Sequence, residues 1–524
     1  MFDDSLVIDL LEKQAELNPE NVALKFEDRE WSFYSLNASA NSIGRWLIDQ
    51  GIQSQDRILV YSSNSDWVVI LLFGILKAGA IFVPINPLIS EAGLAYICRD
   101  SQPSIVITEC ILYPKVISQI SVDQNLKILL LPSKDKIFNV EKRSNTFCLE
   151  PIFSVFDNKN LDVKITSSDI ALIIYTSGST GDPKGVIEHH HSILFVTNAI
   201  NQVIGNTKED KILCGLPLSF DYGLYQIFLA FQAGAQIIIS DFSFPFAIPG
   251  LLVRNGITGL PGVPSLFSIL IRSRLLERIS LPNLRYITST GDVFPVEVIE
   301  KLQKNLPHTI IFPMYGLTEC KRVSILPSEF LNERLGSVGL PLPGTKVSVI
   351  DDAGEELPRG STGELIIRGP HLMGGYWNDP EETRKRYRKI KNETVLFTND
   401  MFMIDVAGFL YFQGRKDSLI KSRGQKVNPL SVERFLYSCE GVVEAAVIGK
   451  PDPILGETIV AIISINTEQV VRTEVILEAC RRHLSLAEVP SKVIIINKPL
   501  PKTPNGKIDK LSLKVMLSKN SNVE

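Results

Sequence analysis

Apolar residues recur along the chain in two alternating textures. Short runs such as Arg57–Tyr61, Ile81–Pro84, Ile105–Thr108 and Ile128–Leu131 are β-rich and bounded by turn residues, so they predict strands. Between them, Ala38–Asp49 and Asp66–Ala78 have the length and pattern of helices. Strand and helix alternating in this way predict βαβ units around a mostly parallel sheet. The pattern resumes with Ile170–Tyr175, Ile212–Leu216, Ala235–Ser240 and Leu284–Thr288.

From about Ser337 the texture changes. Lys346–Ile350, Glu364–Arg368, Met401–Asp405 and Phe409–Phe412 predict strands joined by tight Gly, Pro and Asp turns, as in an antiparallel barrel or meander. Beyond Gly414-Arg415-Lys416-Asp417 the runs Val432–Ser438, Val443–Gly449, Thr458–Ser464, Arg472–His483 and Ser491–Ile496 predict a small α+β unit. The division is expected near residue 416, giving domains 1–416 and 417–524.

Composition narrows the class. The chain has 524 residues, 45% hydrophobic and 21% charged, which excludes disorder and fibrous repeats. A net charge of −4 argues against a nucleic-acid partner, so any bound anion must be met locally. Cys98, Cys110, Cys148, Cys214, Cys320, Cys439 and Cys480 are scattered and never in C-x-x-C spacing, which suits reduced thiols. The N-terminus is acidic where a signal peptide is basic. The most apolar stretch, Trp67–Leu76, is about half the length of a membrane span. A soluble, cytoplasmic protein without a membrane partner is expected.

After the strand Ile170–Tyr175 comes Thr176-Ser177-Gly178-Ser179-Thr180-Gly181-Asp182-Pro183-Lys184-Gly185. Small residues let backbone N–H groups crowd around an anion, hydroxyls add donors, and Lys184 adds charge on a flexible stem. This is the chemistry of a phosphate cradle. A Walker loop needs four residues between its first Gly and Gly-Lys-Ser/Thr, and no window supplies them. A nucleophile elbow on Ser179 needs Gly where Ser177 stands.

The string from Tyr175 to Val186 closely resembles the phosphate loop of the adenylate-forming superfamily: acyl-CoA synthetases, nonribosomal peptide adenylation domains and firefly luciferase. Further segments are similar and in the same order. They are Leu76-Lys77-Ala78-Gly79-Ala80 through Val83-Pro84, Met314-Tyr315-Gly316-Leu317-Thr318-Glu319, Gly363-Glu364-Leu365 with Gly375-Tyr376-Trp377, and Phe397-Thr398-Asn399-Asp400. Gly414 to Asp417 with Lys421 and Gly424, and Pro504-Asn505-Gly506-Lys507, complete the series. Asn399 replaces the usual Gly. The resemblance implies an α/β fold: a large N-terminal domain of two βαβ-type sheet subdomains plus a β-barrel subdomain, and a small mobile α+β C-terminal domain.

The implied reaction joins a carboxylate to the α-phosphate of ATP, releases pyrophosphate, and passes the acyl group from AMP to a thiol. Two anions must meet, and each like-charge contact costs kilocalories in a dry site. Positioned cations and donors are therefore the expected source of catalysis. By resemblance Thr176, Ser177, Gly178, Ser179, Thr180, Gly181 and Lys184 hold the phosphates. Glu319 ligates Mg²⁺ and Thr318 contacts the α-phosphate. Tyr315, beside Gly316, stacks on adenine near Gly291 and Asp292, while Asp400 and Arg415 hold the ribose. Lys507 bridges α-phosphate and substrate carboxylate. Asp417 marks the hinge about which the small domain turns, and Gly424 lines the thiol tunnel.

His189-His190-His191 is not a metal site on a helix, because successive side chains diverge by about 100°. It reads as a polar helix start.

Substrate choice rests on Leu216-Pro217-Leu218-Ser219-Phe220-Asp221-Tyr222-Gly223. Ser-Phe-Asp resembles amino-acid adenylation domains, whose Asp pairs with the substrate amine. A desolvated ammonium needs a counter-ion, whereas a fatty acid would leave Asp221 uncompensated. The alternative is that Asp221 caps a helix. Tyr222, Tyr225, Thr290, Met314, Arg322 and Val323 complete the expected pocket. The two tyrosines suggest a small or cyclic amino acid, proline first, although Arg322 could instead face an acidic side chain. No Gly-Gly-x-Ser carrier signature follows the lysine loop, so the acceptor is expected in trans. It would be the phosphopantetheine of a discrete carrier protein or coenzyme A. An acid:CoA ligase for a small aromatic or aliphatic acid is the alternative.

Overall fold

A computed structural model describes residues 5–119, 126–131, 145–149, 158–176, 182–240, 242, 245–422, 425–452, 456–465, 471–503 and 506–519. Its strands form four sheets. The first has seven strands, in the order Thr146–Cys148, Lys127–Leu131, Ile105–Glu109, Arg57–Tyr61, Ile81–Ile85, Ile170–Thr176 and Lys184–His189. All neighbours are parallel except the last two, which form an antiparallel pair. Alternation within one strand assigns its two faces: Ile58 and Val60 enter the main core, while Leu59 and Tyr61 enter a second.

The second sheet has nine strands. A parallel series of Gln236–Ile239, Lys211–Cys214, Gly259–Gly262, Tyr286–Ser289 and Ile310–Tyr315 forms its middle. One edge is closed by the short strands Ser324–Ile325 and Leu340–Pro341. The other is the N-terminal hairpin Val22–Phe26 and Arg29–Ser32, whose Leu24 pairs in parallel with Ile237. Arg29 and the Trp31 indole both donate to Asp66, at 2.6 and 2.9 Å, and clamp this hairpin to the helix Asp66–Lys77. Helices Phe33–Asp49, Asp66–Lys77, His190–Ile204 and Asp221–Ala233 contribute to one core that reaches both sheets.

The third sheet is antiparallel throughout: Lys346–Ile350, Thr362–Arg368, Glu393–Ile404 and Tyr387–Ile390, with Leu410–Arg415 also on Glu393–Ile404. The turn Lys416–Ser418 leads to the fourth sheet, built from Ile420–Ser422, Gln425–Val427, Val442–Asp452, Gly456–Ile465 and Lys492–Ile496. This mixed α/β architecture, with its large two-sheet body and a smaller C-terminal unit, is the one expected.

Element edges differ where local chemistry outweighs the apolar pattern. The helix expected from Ala38 begins at Phe33, because the Ser32 hydroxyl accepts from the Ser35 N–H and caps it. The strand Arg29–Ser32 has a single apolar residue, Trp31, and Thr146–Cys148 is only three residues long, so neither stands out. All seven cysteines are free thiols. No described helix is long and apolar enough to cross a membrane.

Candidate active site

Thr176 and Lys184 face each other across the antiparallel pair, so the glycine loop joins two strands. Ser177, Gly178, Ser179, Thr180 and Gly181 lie outside the described residues, as does Gly424. Lys184 Nζ pairs with Glu382 at 2.9 Å and lies 5.6 Å from the centre of the Tyr376 ring. The Tyr376 hydroxyl donates to Glu319 at 2.5 Å. One tyrosine therefore bridges the cation of the glycine loop and the carboxylate of the Thr-Glu segment.

That segment is a tight excursion between strands. Val323 N–H donates to the Tyr315 carbonyl at 2.9 Å and closes it. Gly316 lets the two arms touch, since a Cβ there would sit 2.0 Å from the Lys321 carbonyl oxygen. Thr318 is buried, and the Tyr387 hydroxyl donates to the Glu319 carbonyl at 3.0 Å.

Tyr315 donates to Asp400 at 2.6 Å, and Arg415 Nε stands 3.7 Å from the same carboxylate. Burial pushes the Asp400 carboxyl up, opposed by Arg415 and Tyr315. Arg415 also grips Asp417 through Nε and Nη2, each at 3.1 Å. Burial pulls its guanidinium down, but Asp400 and Asp417 outweigh this and hold it up. Asn399 adopts φ +63°, a left-handed conformation that glycine takes freely and asparagine tolerates. The substitution thus preserves the bulge within the strand Glu393–Ile404 that presents Asp400.

Lys507 reaches this region from the C-terminal unit. A Cβ on Gly291 would lie 3.6 Å from Lys507 Cε, and Lys507 acts electrostatically on Asp221. Asp292 is exposed, accepting from the Val293 N–H at 2.8 Å.

Asp221 opens the helix Asp221–Ala233, and its carboxylate accepts from the Tyr222 N–H at 2.8 Å. The N-cap position belongs to Phe220, without a side-chain cap. Asp221 is 6% exposed; burial pushes its carboxyl up, with Arg322 the largest opposing influence. It shares a pocket with Ile200, Tyr222, Tyr225, Thr288, Met314, Lys321 and Arg322, whose free volume is about 10 Å³. Arg322 is 5% exposed, sits 5.0 Å above the Tyr222 ring, and its Nε has no hydrogen-bond partner. Burial lowers its guanidinium, while Tyr222 and Asp221 oppose that.

Thr290 is buried but outside this wall, and Val323 is a correction. Its side chain packs into the third-sheet core with Cys320, Leu365 and Phe402. Consecutive residues of an extended segment face opposite sides, so a pocket-facing Arg322 sends Val323 the other way. Beneath the pocket the sequence analysis missed a buried pair: Glu188, fully buried, lies 3.5 Å from Lys321 Nζ and accepts from the Tyr225 hydroxyl at 3.0 Å. Burial lifts the Glu188 carboxyl to about 7 against the pull of Lys321. A signal existed, because Lys184, Val186 and Glu188 share one strand face, and Asp221 and Tyr225 share one helix face.

The three histidines behave as a helix start. His190 Nδ1 accepts from the Val7 N–H at 3.2 Å, and burial holds its imidazole down at about 4. Among the described residues no group of three or more His, Cys, Asp or Glu could hold a metal. A divalent ion here would rely on one carboxylate and on bound phosphates, which is how Mg²⁺ is commonly held.

Residues 11–377 match the AMP-binding enzyme family, and residues 431–507 match the AMP-binding enzyme C-terminal domain. The chain belongs to this family of adenylate-forming enzymes. It is an AMP-forming ligase that activates a carboxylate with ATP. It is 32% identical over 517 residues to a long-chain-fatty-acid–CoA ligase of Bacillus subtilis (strain 168), covering 94% of this chain and 90% of that one. Its fold resembles the anthranilate CoA ligase AuaEII, solved with anthranoyl-AMP, at a TM-score of 0.90 and 23% identity, covering 99% and 98% of the two chains. VinN, solved in complex with L-aspartate, is similar at a TM-score of 0.69 and 31% identity, covering 78% of this chain and 99% of VinN.

Proposed function

We propose that this enzyme activates an amino acid with an acidic side chain and delivers it to the phosphopantetheine thiol of a separate carrier protein. The observation that carries this reading is the presence of opposite charges, Asp221 and Arg322, in the wall of one small buried pocket. A substrate ammonium would neutralise Asp221, and a side-chain carboxylate would neutralise Arg322. Proline, the first expectation from the two tyrosines, would satisfy Asp221 but leave Arg322 without a counter-ion. The similarity to VinN, solved with L-aspartate, supports the acidic choice.

In this reading Lys184 and the glycine loop hold the β- and γ-phosphates. Asp400 and Arg415 hold the ribose beside Tyr315 and the adenine, near Gly291 and Asp292. Thr318 meets the α-phosphate. Glu319, one oxygen engaged by Tyr376, would hold Mg²⁺, which would offset phosphate charge when bound. Lys507 places its ammonium between α-phosphate and substrate carboxylate, so that attack does not bring bare anions together. The domains divide between Lys416 and Asp417, and rotation there replaces Lys507 by the incoming thiol along Gly424. The work is cytoplasmic.

The second reading, an acid:CoA ligase, is favoured by the identity to the Bacillus subtilis fatty-acid ligase. The buried charges of Asp221 and Arg322 oppose a long acyl chain, which would neutralise neither. Pyrophosphate exchange decides between the two, run with L-aspartate, L-proline, the other standard amino acids, fatty acids and aryl acids. Exchange strongest with L-aspartate supports the proposal; exchange only with acids lacking an amine overturns it.

A further inference from the structure

Lys507 is useful only if its loop is held against the large N-terminal body during adenylation, and one helix of that body makes the attachment. Main-chain hydrogen bonds tie the described residues of the loop together. Thr503 N–H donates to the Lys507 carbonyl at 2.8 Å, Gly506 N–H to the Thr503 carbonyl at 2.9 Å, and Lys502 bridges Ile508. Gly506 has φ +80°, and a Cβ there would approach Val263 to 3.1 Å, so glycine serves both the turn and the close seating.

Val263 immediately precedes the helix Pro264–Arg272. From its first turn the Ser265 hydroxyl donates to the Gly506 carbonyl at 3.0 Å. From its last turn Arg272 Nη2 donates to the Ile465 carbonyl, at the end of the strand Gly456–Ile465, at 3.3 Å. Seven residues separate the two donors, about two helical turns, so they lie on one face. Both acceptors are main-chain carbonyls of the C-terminal unit.

We propose that the helix Pro264–Arg272 is a docking rail that holds the C-terminal unit in its adenylating orientation, with Ser265 and Arg272 as positioning residues for Lys507. The inference rests on Lys507 being the lysine of the adenylation step. Neither residue contacts the reacting atoms. Both hydrogen bonds join surfaces that must part when the unit turns, so they favour the first half-reaction and not the second.

The test separates the half-reactions, using whichever acid gives wild-type enzyme its fastest pyrophosphate exchange. Ser265→Ala should slow exchange about 2- to 10-fold, the range of one net hydrogen bond. Ser265→Ala with Arg272→Met should slow it further. Transfer from the preformed acyl-adenylate to pantetheine should stay at the wild-type rate, and Ser265→Thr, which keeps the hydroxyl, should restore exchange. Equal loss in both half-reactions, or wild-type exchange by the double variant, overturns the rail. Lys507→Ala is the control: if it retained exchange, the functional reading itself would fall, independently of Ser265.

Discussion

Replacing Arg322 by leucine removes a cation that is 5% exposed and shares its pocket with Asp221. In such a site, at an effective dielectric of about 20, two unit charges 4 Å apart interact by about 4 kcal/mol. Truncating one partner of a buried, hydrogen-bonded charge pair costs about 2–5 kcal/mol. The kcat/KM for L-aspartate should therefore fall about 30- to several-thousand-fold relative to that for L-alanine. The ratio matters because Arg322 also holds the Asp221 carboxyl down against burial. Removing it pushes Asp221 higher, so the acid limb of the profile for any amino acid should move to higher pH. Both substrates carry the amine, and that secondary effect cancels in the ratio. The free enzyme should also lose thermal stability, because leucine leaves Asp221 buried without the cation that most offsets its burial. Pyrophosphate exchange across a pH series, with a melting curve for each protein, provides the measurement. Equal losses for aspartate and alanine would refute the assignment of Arg322 to an acidic side chain.

Asp221→Asn keeps an acceptor for the Tyr222 N–H but loses the charge. It should raise the amino-acid KM at least about tenfold and leave that of ATP alone; wild-type kinetics would reduce Asp221 to a backbone role. Glu188, with a folded value of about 7 against an ordinary 4.5, favours the fold when protonated. That contribution is full below about pH 4.5 and is lost as pH rises through 7, about 3 kcal/mol in all. Glu188→Gln should flatten the fall of Tm with pH in this window, and a Tm profile parallel to wild type would disprove it. Asn399→Gly should be nearly neutral, whereas Asn399→Val should cost about 1–2 kcal/mol in urea unfolding because of its left-handed backbone. Equal stability of the two variants would contradict the strain argument.

The parallel sheets were legible because their strands are buried on both faces and stand out as uninterrupted apolar runs. Arg57–Tyr61 emerges with the expected bounds. Helix starts were less legible, since a cap such as Ser32 is a single polar residue whose role depends on backbone conformation. The site divides the same way. Residues in contiguous motifs, such as Thr318, Glu319 and Asp400, are picked out by resemblance to the family's segments. Glu188 and Lys321 are single charges on different elements, and only the packing of Lys184–His189 against the segment after Glu319 brings them together. Val323 shows the converse error: the resemblance placed it in the pocket with Arg322, but its side chain packs into the third-sheet core.

The N-terminal hairpin adds a constraint on biogenesis. Val22–Phe26 completes the nine-stranded sheet only by lying beside Gln236–Ile239, so its edge waits, unpaired, until the ribosome has delivered a much later stretch. Nascent chains arrested before that point would present a bare strand to their neighbours. Expression fragments beginning after Ser32 would strip the sheet of its outer rim and expose the backbone of Gln236–Ile239 to self-association.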